Sequence, residues 1–405
     1  MNGQYEIDTI GGISLINYPL ASSTWDDNEI TAMKQVIDSG NFTMGVKVSE
    51  FEMAFAEHVG SRYCVMVNSG SSANLLATAC LFYRSANRLL QGDEVIVPAV
   101  SWSTTYYPLY QYGLNIKFVD IDLRTLNYDL NALGRAVTDK TRVIVAVNLL
   151  GNPNEFSKIV KIINGKNIVL LEDNCESMGA VYNGKQTGTF GEMGTFSTFF
   201  SHHISTMEGG MIVTDNEELY HILLSLRAHG WTRNLPAKNH VTGNKSENNF
   251  EESWRFVLPG YNVRPTELNG AIGLEQIKKL PNFIKVRREN ALIFQETFGN
   301  NQNFSIQRET GDSSWFGFAL IIKSGSPLQR NPVVDVLLQN GIECRPIVGG
   351  NFVKNPVIKW FKYEIFETLD NSERIDKFGF FVGNHHFNLS NQIKKLHKIL
   401  QLFGG

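Results

Sequence analysis

Two adjacent histidines, His202 and His203, stand between an apolar, strand-like run (Thr195 to Phe200) and the turn Gly209-Gly210. Imidazole titrates near neutral pH, so a histidine at a strand-to-loop junction is a candidate for moving protons. Neighbours on an extended chain point to opposite sides, so His203 is an ordinary loop residue rather than a second base. Taken alone, the pair also fits a strand end followed by two loop histidines, since it lacks metal-ligand spacing. His58, His221, His229, His240, His385, His386 and His397 show no HExxH-type spacing, and no metal centre is expected.

Three other stretches carry chemistry-bearing residues at strand ends. In Asn68-Ser69-Gly70-Ser71-Ser72-Ala73-Asn74 a predicted strand passes into a predicted helix. Free backbone N–H groups and the positive end of the helix dipole meet there, and Gly70, Ser71 and Ser72 permit close approach by a phosphate. Neither a Walker loop nor the GxGxxG fingerprint is present, and a plain serine N-cap fits the segment equally well. The run Ile168 to Leu171 ends in Glu172-Asp173-Asn174-Cys175-Glu176, so Asp173 and Glu176 lie where open α/β sheets bind ligands. An aspartate there can keep a pyridine nitrogen protonated. Pro98-Ala99-Val100-Ser101-Trp102-Ser103 places an indole at a third strand end, where it can stack on a flat cofactor or serve the core. A phosphate cradle, a stacking aromatic, an acid for a ring nitrogen and a base are together what pyridoxal phosphate (PLP) requires.

The elements that must position these residues follow from periodicity. Strands at 63–67, 94–97, 117–119, 142–147 and 168–171 alternate with amphipathic helices at about 71–84, 103–112, 129–137 and 155–163, preceded by helices near 27–38 and 49–58. That alternation predicts βα crossovers and a mostly parallel sheet. After a helix near 217–229 the pattern weakens, and the polar stretch 232–252 reads as a long ordered loop. A helix at about 266–280, stopped by Pro281, and another ending near Phe298 precede a smaller unit with strands at 315–322 and 343–346 and helices at 333–340 and 393–403. The division expected is an extension at 1–15, a large α/β domain at 16–260 and a smaller α+β domain at 261–405.

The chain of 405 residues is long enough for two or three domain-sized units of roughly 150 residues. Its 42% hydrophobic and 19% charged composition, with 35 Gly and 12 Pro, is that of a globular protein. A net charge of -3 without basic runs argues against nucleic acid as a partner. No run of 18 apolar residues and no export signal is visible, so no membrane association is expected and the cytoplasm is the expected compartment. Cys64, Cys80, Cys175 and Cys344 are widely scattered and read as reduced thiols.

The sequence resembles the sugar aminotransferase (DegT/DnrJ/EryC/StrS) family of fold-type I PLP-dependent enzymes. The matching motifs are Ser69-Gly70-Ser71, Glu172-Asp173-Asn174-Cys175-Glu176, Thr195-Phe196-Ser197, Glu208-Gly209-Gly210, Arg227-Ala228-His229-Gly230 and Gly260-Tyr261-Asn262-Val263-Arg264-Pro265-Thr266-Glu267-Leu268, in family order over about two hundred residues. The resemblance implies a large domain with a mostly parallel seven-stranded sheet and a smaller C-terminal α+β domain. Family aminotransferases carry a Schiff-base lysine eight residues before the second glycine of Glu-Gly-Gly, and here that position is His202. Without an ε-amine the chain cannot tether the cofactor's aldehyde. Members with this exchange resemble sugar 3-dehydratases, of which one type holds an iron-sulfur cluster and acts on a CDP-sugar, while a cluster-free type acts on a GDP-sugar. Cys344 is the only cysteine after His202, so the cluster-free type is expected, with no iron-sulfur cluster.

By that resemblance, L-glutamate converts PLP to pyridoxamine phosphate, and a GDP-linked 4-keto-6-deoxy sugar then loses its C-3 hydroxyl, in 3,6-dideoxysugar (colitose) biosynthesis. His202 is the implied catalytic residue. Asp173 is implied to meet the pyridine nitrogen, Glu176 the ring substituents and Trp102 the ring face, with Gly70, Ser71, Ser72 and Ser197 at the phosphate. Asn262 matches a residue that reaches a neighbouring subunit's phosphate, which implies a homodimer with shared sites. His229, Arg233, Glu343 and Arg345 are candidate substrate-binding residues, Arg233 because a guanidinium grips a carboxylate bidentately. Two competing readings remain, a transferase that forms a 4-amino sugar and a silent regulator that keeps the cofactor fold, although the second predicts decay of phosphate and ring contacts that are all present.

Overall fold

A computed structural model describes residues 17–403, so the expected extension at 1–15 lies outside the described residues. Seven strands build the large sheet in the first two-thirds of the chain: β1 (Tyr63–Val67), β2 (Glu94–Pro98), β3 (Asn115–Val119), β4 (Thr141–Val147), β5 (Val169–Asp173), β6 (Met193–Ser197) and β7 (Gly210–Thr214). Besides the two-residue strands Lys238–Asn239 and Gly243–Asn244, five more follow: β8 (Phe304–Ile306), β9 (Gly317–Ile322), β10 (Cys344–Arg345), β11 (Tyr363–Ile365) and β12 (Gly379–Gly383). The large sheet runs β1-β7-β6-β5-β4-β2-β3-β11, parallel except for β7, which is antiparallel to both neighbours.

The strands read as continuous apolar runs because both faces are covered. Val143, Val145 and Val147 join one core cluster while Ile144 and Ala146 join another, as do Val169 and Leu171 against Leu170. In the register, Val147 pairs with Asp173 and Asp173 with Thr195, which aligns the carboxyl ends of β4, β5 and β6 along one edge. The loops that leave this edge carry the chemistry.

The structure departs from the sequence-based expectations in several places. The sheet has eight strands, not seven, because β11 pairs in parallel with β3 through Tyr363↔Ile116, Glu364↔Lys117 and Ile365↔Phe118. A three-residue exposed segment has no period to read, and the open edge of β3 makes it a strand. Glu267–Phe298 is one helix of 32 residues that runs through Pro281. Proline forfeits one hydrogen bond, but Leu280, Phe283, Ile284 and Arg287 are buried on both sides of it, and that packing holds the helix together. The 232–252 stretch is ordered, as expected, around buried Thr232, Leu235, Asn239 and Glu252, but it also holds two-residue strands at Lys238–Asn239 and Gly243–Asn244 and a short helix at Asn249–Glu252.

The second sheet, β8-β9-β12-β10, is antiparallel and packs its own core of Phe294, Phe298, Phe318, Leu320, Val382 and Ile393. The helix Asp370–Phe378 and the strand β12 that follows it were not anticipated, although β12 lies at the centre of this sheet. Through Arg345↔Phe381, β12 fixes β10 and so sets where Arg345 emerges.

Candidate active site

One cleft opens at the carboxyl edge of the large sheet, lined by Ser69, Gly70, Ser71, Asn74, Ser101, Trp102, Thr104, Val147, Asp173, Cys175, Glu176, Ser197, Phe199, Ser201, His202, Glu208, Phe316 and Arg345. Loops after β1, β2, β5 and β6 supply most of these residues, the second sheet supplies Arg345, and Phe316 comes from the segment just before β9.

Asp173 ends β5 at the cleft floor, almost fully buried. Its Oδ2 accepts from Asn74 Nδ2 (2.9 Å) and Thr105 Oγ1 (2.7 Å), and its Oδ1 accepts from the Cys175 amide (3.1 Å). Thr105 gives its single proton to Asp173, so at the 2.8 Å contact with Ser101 it is the Ser101 hydroxyl that donates. Thr195 donates to Asn74 Oδ1 (2.6 Å) and turns the amide nitrogen toward the acid. Three donors hold a buried carboxylate ready for a cationic partner.

The helix Gly70–Tyr83 begins at the rim. Ser69 caps it, its hydroxyl accepting from the Ser72 amide (3.1 Å), and Ala73 bonds back to the Ser69 carbonyl. The amides of Gly70 and Ser71 have no partner among the described residues. Ser72 turns away to bond Asn68 (2.6 Å) and does not line the cleft. A Cβ at position 70 would sit 2.7 Å from Ser197 Cβ and 3.0 Å from Cys175 Sγ, so only glycine lets the amides come this close to β6. Trp102, 55% exposed, presents its indole at the cleft. Unpaired amides at a helix start, a carboxylate set to pair with a ring cation and an uncovered aromatic face fit a phosphorylated pyridine such as PLP.

His202 faces this space edge-on to the Phe316 ring, with centroids 5.1 Å apart. Its Nδ1 lies 2.6 Å from the Cys175 carbonyl, which can only accept, so Nδ1 carries the hydrogen and Nε2 is left with the lone pair. Burial pushes the imidazole down to about 4; the Arg345 and Arg287 charges act the same way, while the Cys175 carbonyl and Asp173 oppose them. His202 is therefore a neutral base near pH 7. Burial likewise raises Glu176 to about 7, helped by Asp173 and opposed by the Leu150 amide, which donates to its Oε2 (2.9 Å), and by Arg345. The Arg345 side chain makes no hydrogen bond or ion pair with any described residue and rests over the Phe381 ring at 4.8 Å, leaving its guanidinium open to an anion. His203 does not line the cleft: it is fully buried, its Nε2 3.2 Å from the Ser314 carbonyl and its ring centroid 5.7 Å from that of Phe316.

Besides Ser72, four of the expected residues stand outside this cleft in the single chain. Glu343 accepts from the Leu20 amide (2.8 Å), an anchor for the N-terminal segment. His229 has φ +59° and sits edge-on to Trp231, and Arg233 is sandwiched between Trp231 (4.2 Å) and Trp254 (4.5 Å). Asn262 is exposed and accepts from Arg264 Nε (3.0 Å), and the Arg264 guanidinium lies 5.4 Å from the Trp231 ring. His229, Arg233 and Asn262 thus belong to one aromatic, cationic surface patch.

Reasoning from sequence missed Asn74, Thr105 and Phe316. Asn74 and Thr105 lie in the first turns of helices whose starts had been singled out, so the inward faces of those turns were the available signal. Phe316 comes from a distant segment and had no local signal. Among the described residues no group of three or more His, Cys, Asp or Glu could hold a metal ion, and no helix is long and apolar enough to cross a membrane.

The fold and cleft are those of the PLP-dependent fold-type I aminotransferases, and the chain belongs to the DegT/DnrJ/EryC1/StrS aminotransferase family, which it matches over residues 23–390. It is 63% identical to the GDP-4-keto-6-deoxy-D-mannose 3-dehydratase of Yersinia pseudotuberculosis over 96% of this chain and 99% of that protein. The solved E. coli enzyme of the same name, with bound hydrated PLP, superimposes with a TM-score of 0.94 at 62% identity, covering 95% of this chain and 100% of the other. A second structure of a GDP-4-keto-6-deoxymannose-3-dehydratase, with a trapped PLP-glutamate geminal diamine, matches with the same TM-score, identity and coverage.

Proposed function

We propose that this chain removes the C-3 hydroxyl of GDP-4-keto-6-deoxy-D-mannose, with PLP and pyridoxamine phosphate as cofactor forms and L-glutamate as amino donor. The products are GDP-4-keto-3,6-dideoxy-D-mannose, 2-oxoglutarate and ammonia, a step of 3,6-dideoxysugar (colitose) biosynthesis. The observation that carries this reading is His202, which stands where the family's lysine would be and is held neutral with Nε2 free. Such a group can take and return protons but cannot form the covalent link that a lysine makes.

When bound, the cofactor supplies an amino-accepting aldehyde and a pyridinium that draws electrons. Asp173 keeps the ring nitrogen cationic, Trp102 covers the ring face, and the Gly70 and Ser71 amides with the Ser197 hydroxyl hold the phosphate. His202 Nε2 takes the proton released next to the ring and returns it to the departing C-3 hydroxyl. Arg345 offers its unpaired guanidinium to a substrate carboxylate or phosphate. The patch bearing His229, Arg233 and Asn262 supports a homodimer in which it reaches the partner's cleft. The scattered, unpaired cysteines fit a reducing cytoplasm.

The test is to incubate the protein with PLP, L-glutamate and GDP-4-keto-6-deoxymannose and weigh the nucleotide sugar. Loss of one oxygen with release of ammonia is the expected result, and a stable 4-amino sugar overturns the proposal. His202→Lys is expected to shift the product toward a retained amino group, and unchanged deoxygenation in that variant would show that His202 is not the base.

A further inference from the structure

Behind the histidine loop lies a buried cation without an anion. Arg287, on the helix Glu267–Phe298, is 3% exposed, and no carboxylate among the described residues pairs with it. One guanidinium nitrogen donates instead to three carbonyls, those of Asn384 (2.7 Å), Phe316 (3.3 Å) and Trp315 (3.4 Å), and Nε has no partner. Buried charges are normally paired with opposite charges, whereas this one is committed to backbone oxygens.

The backbone it grips is a strained turn. Trp315 has φ +46°, a left-handed conformation that a bulky residue adopts only when its surroundings impose it. Asn384 Nδ2 bonds the same Trp315 carbonyl (2.9 Å). From this turn the Ser314 carbonyl meets His203, the Phe316 amide donates to the Leu150 carbonyl (3.0 Å), and the Leu150 amide donates to Glu176. The Phe316 ring seats against His202. One turn therefore braces two cleft groups, His202 and Glu176.

We propose that Arg287 is a positioning residue for proton transfer: by gripping the Trp315–Phe316 turn it holds the Phe316 ring against the His202 imidazole, fixing the ring's orientation and excluding water from it. This rests on the assignment of His202 as the base. The groups that act on His202 are the Cys175 carbonyl, Asp173 and Arg345 from the cleft, the Phe199 and Phe316 rings at its edges, and Arg287 and His203 behind. Loosening the turn hydrates the imidazole, and loss of the Arg287 charge removes one cation that disfavours its protonation.

The test compares Arg287→Lys, which keeps the charge but loses the planar fork, with Arg287→Met, which loses both, in the full chain. Thermal melts establish folding, NMR follows the His202 titration in cofactor-free protein, and steady-state assays give kcat and KM for both substrates. Both variants are expected to lose about ten- to a hundredfold in kcat, the scale of a misplaced reacting group, with KM unchanged. The His202 titration moves to higher pH, furthest in Arg287→Met. Phe316→Leu, which spares Arg287, should reproduce the kcat loss and the titration shift if an arginine variant fails to fold. Folded variants with an unmoved titration and wild-type kcat, or a loss confined to KM, overturn the proposal. A wild-type protein that does not deoxygenate the sugar defeats the functional reading instead, and the titration comparison still decides the role of Arg287.

Discussion

Gly70→Ala tests the phosphate cradle most directly. The added methyl would lie 2.7 Å from Ser197 Cβ, 3.0 Å from Cys175 Sγ and 3.1 Å from Ser197 Oγ. Carbon atoms pack at about 3.5–4.0 Å, so something must retreat by roughly 1 Å. Ser197 ends β6, which is buried and paired on both sides by β5 and β7, so it cannot retreat. The helix start moves instead and takes the Gly70 and Ser71 amides with it. Each hydrogen bond to a charged group contributes about 1.5–3 kcal/mol, so losing one to two of them weakens PLP binding by a factor between about ten and about twenty thousand. Absorbance titration of the cofactor-free protein with PLP measures this, and a thermal melt without PLP shows whether the fold survives. Helix propensity favours alanine over glycine by up to about 1 kcal/mol, so the cofactor-free variant should not lose much stability. A folded variant that binds PLP as tightly as the wild type would refute the placement of the phosphate at this helix.

The pH profile offers a second check: His202 is a base lowered to about 4, so its neutral form, and with it kcat, persists down to that pH and is lost below it. At pH 5.5 about 97% of such a group is neutral, against about 9% of an ordinary histidine, and an acid limb near 6.5 would contradict the burial argument. Thr105→Val removes one of three donors to Asp173 while keeping the shape, and is expected to lower kcat/KM about tenfold; unchanged kinetics would mean that the threonine does not steady the acid. His385, buried with burial as the main cause of its fall to about 3, takes a proton in the unfolded chain near 6.5 but not in the folded one. Stability is therefore lost as pH falls from 6.5 toward 3, by about 1.4 kcal/mol per pH unit, and urea midpoints should show a shallower slope in His385→Gln than in the wild type.

Much of this protein can be read locally. The apolar runs that became β1 to β5 and the helices between them follow from period and punctuation, and the sheet's carboxyl edge then places Gly70, Trp102, Asp173 and His202 together without any side-chain geometry. Short elements were illegible for the opposite reason. β11 and β12 are strands because open edges of β3 and β9 accept them, and Pro281 is tolerated because buried residues on either side of it hold the helix together.

The sequence by itself determined which groups are available: a histidine in place of a lysine, an acid at a strand end, and a glycine where a helix starts. Only the tertiary structure decided their states. Asp173 is fixed by Asn74, Thr105 and Cys175, contributed from three parts of the chain. His202 is neutral, with a defined tautomer, because the Cys175 carbonyl orients it and burial against Phe316 removes water from it. Identity is written residue by residue, but desolvation and hydrogen-bond direction arise between segments as far apart as Cys175 and Arg345, and only folding brings those together.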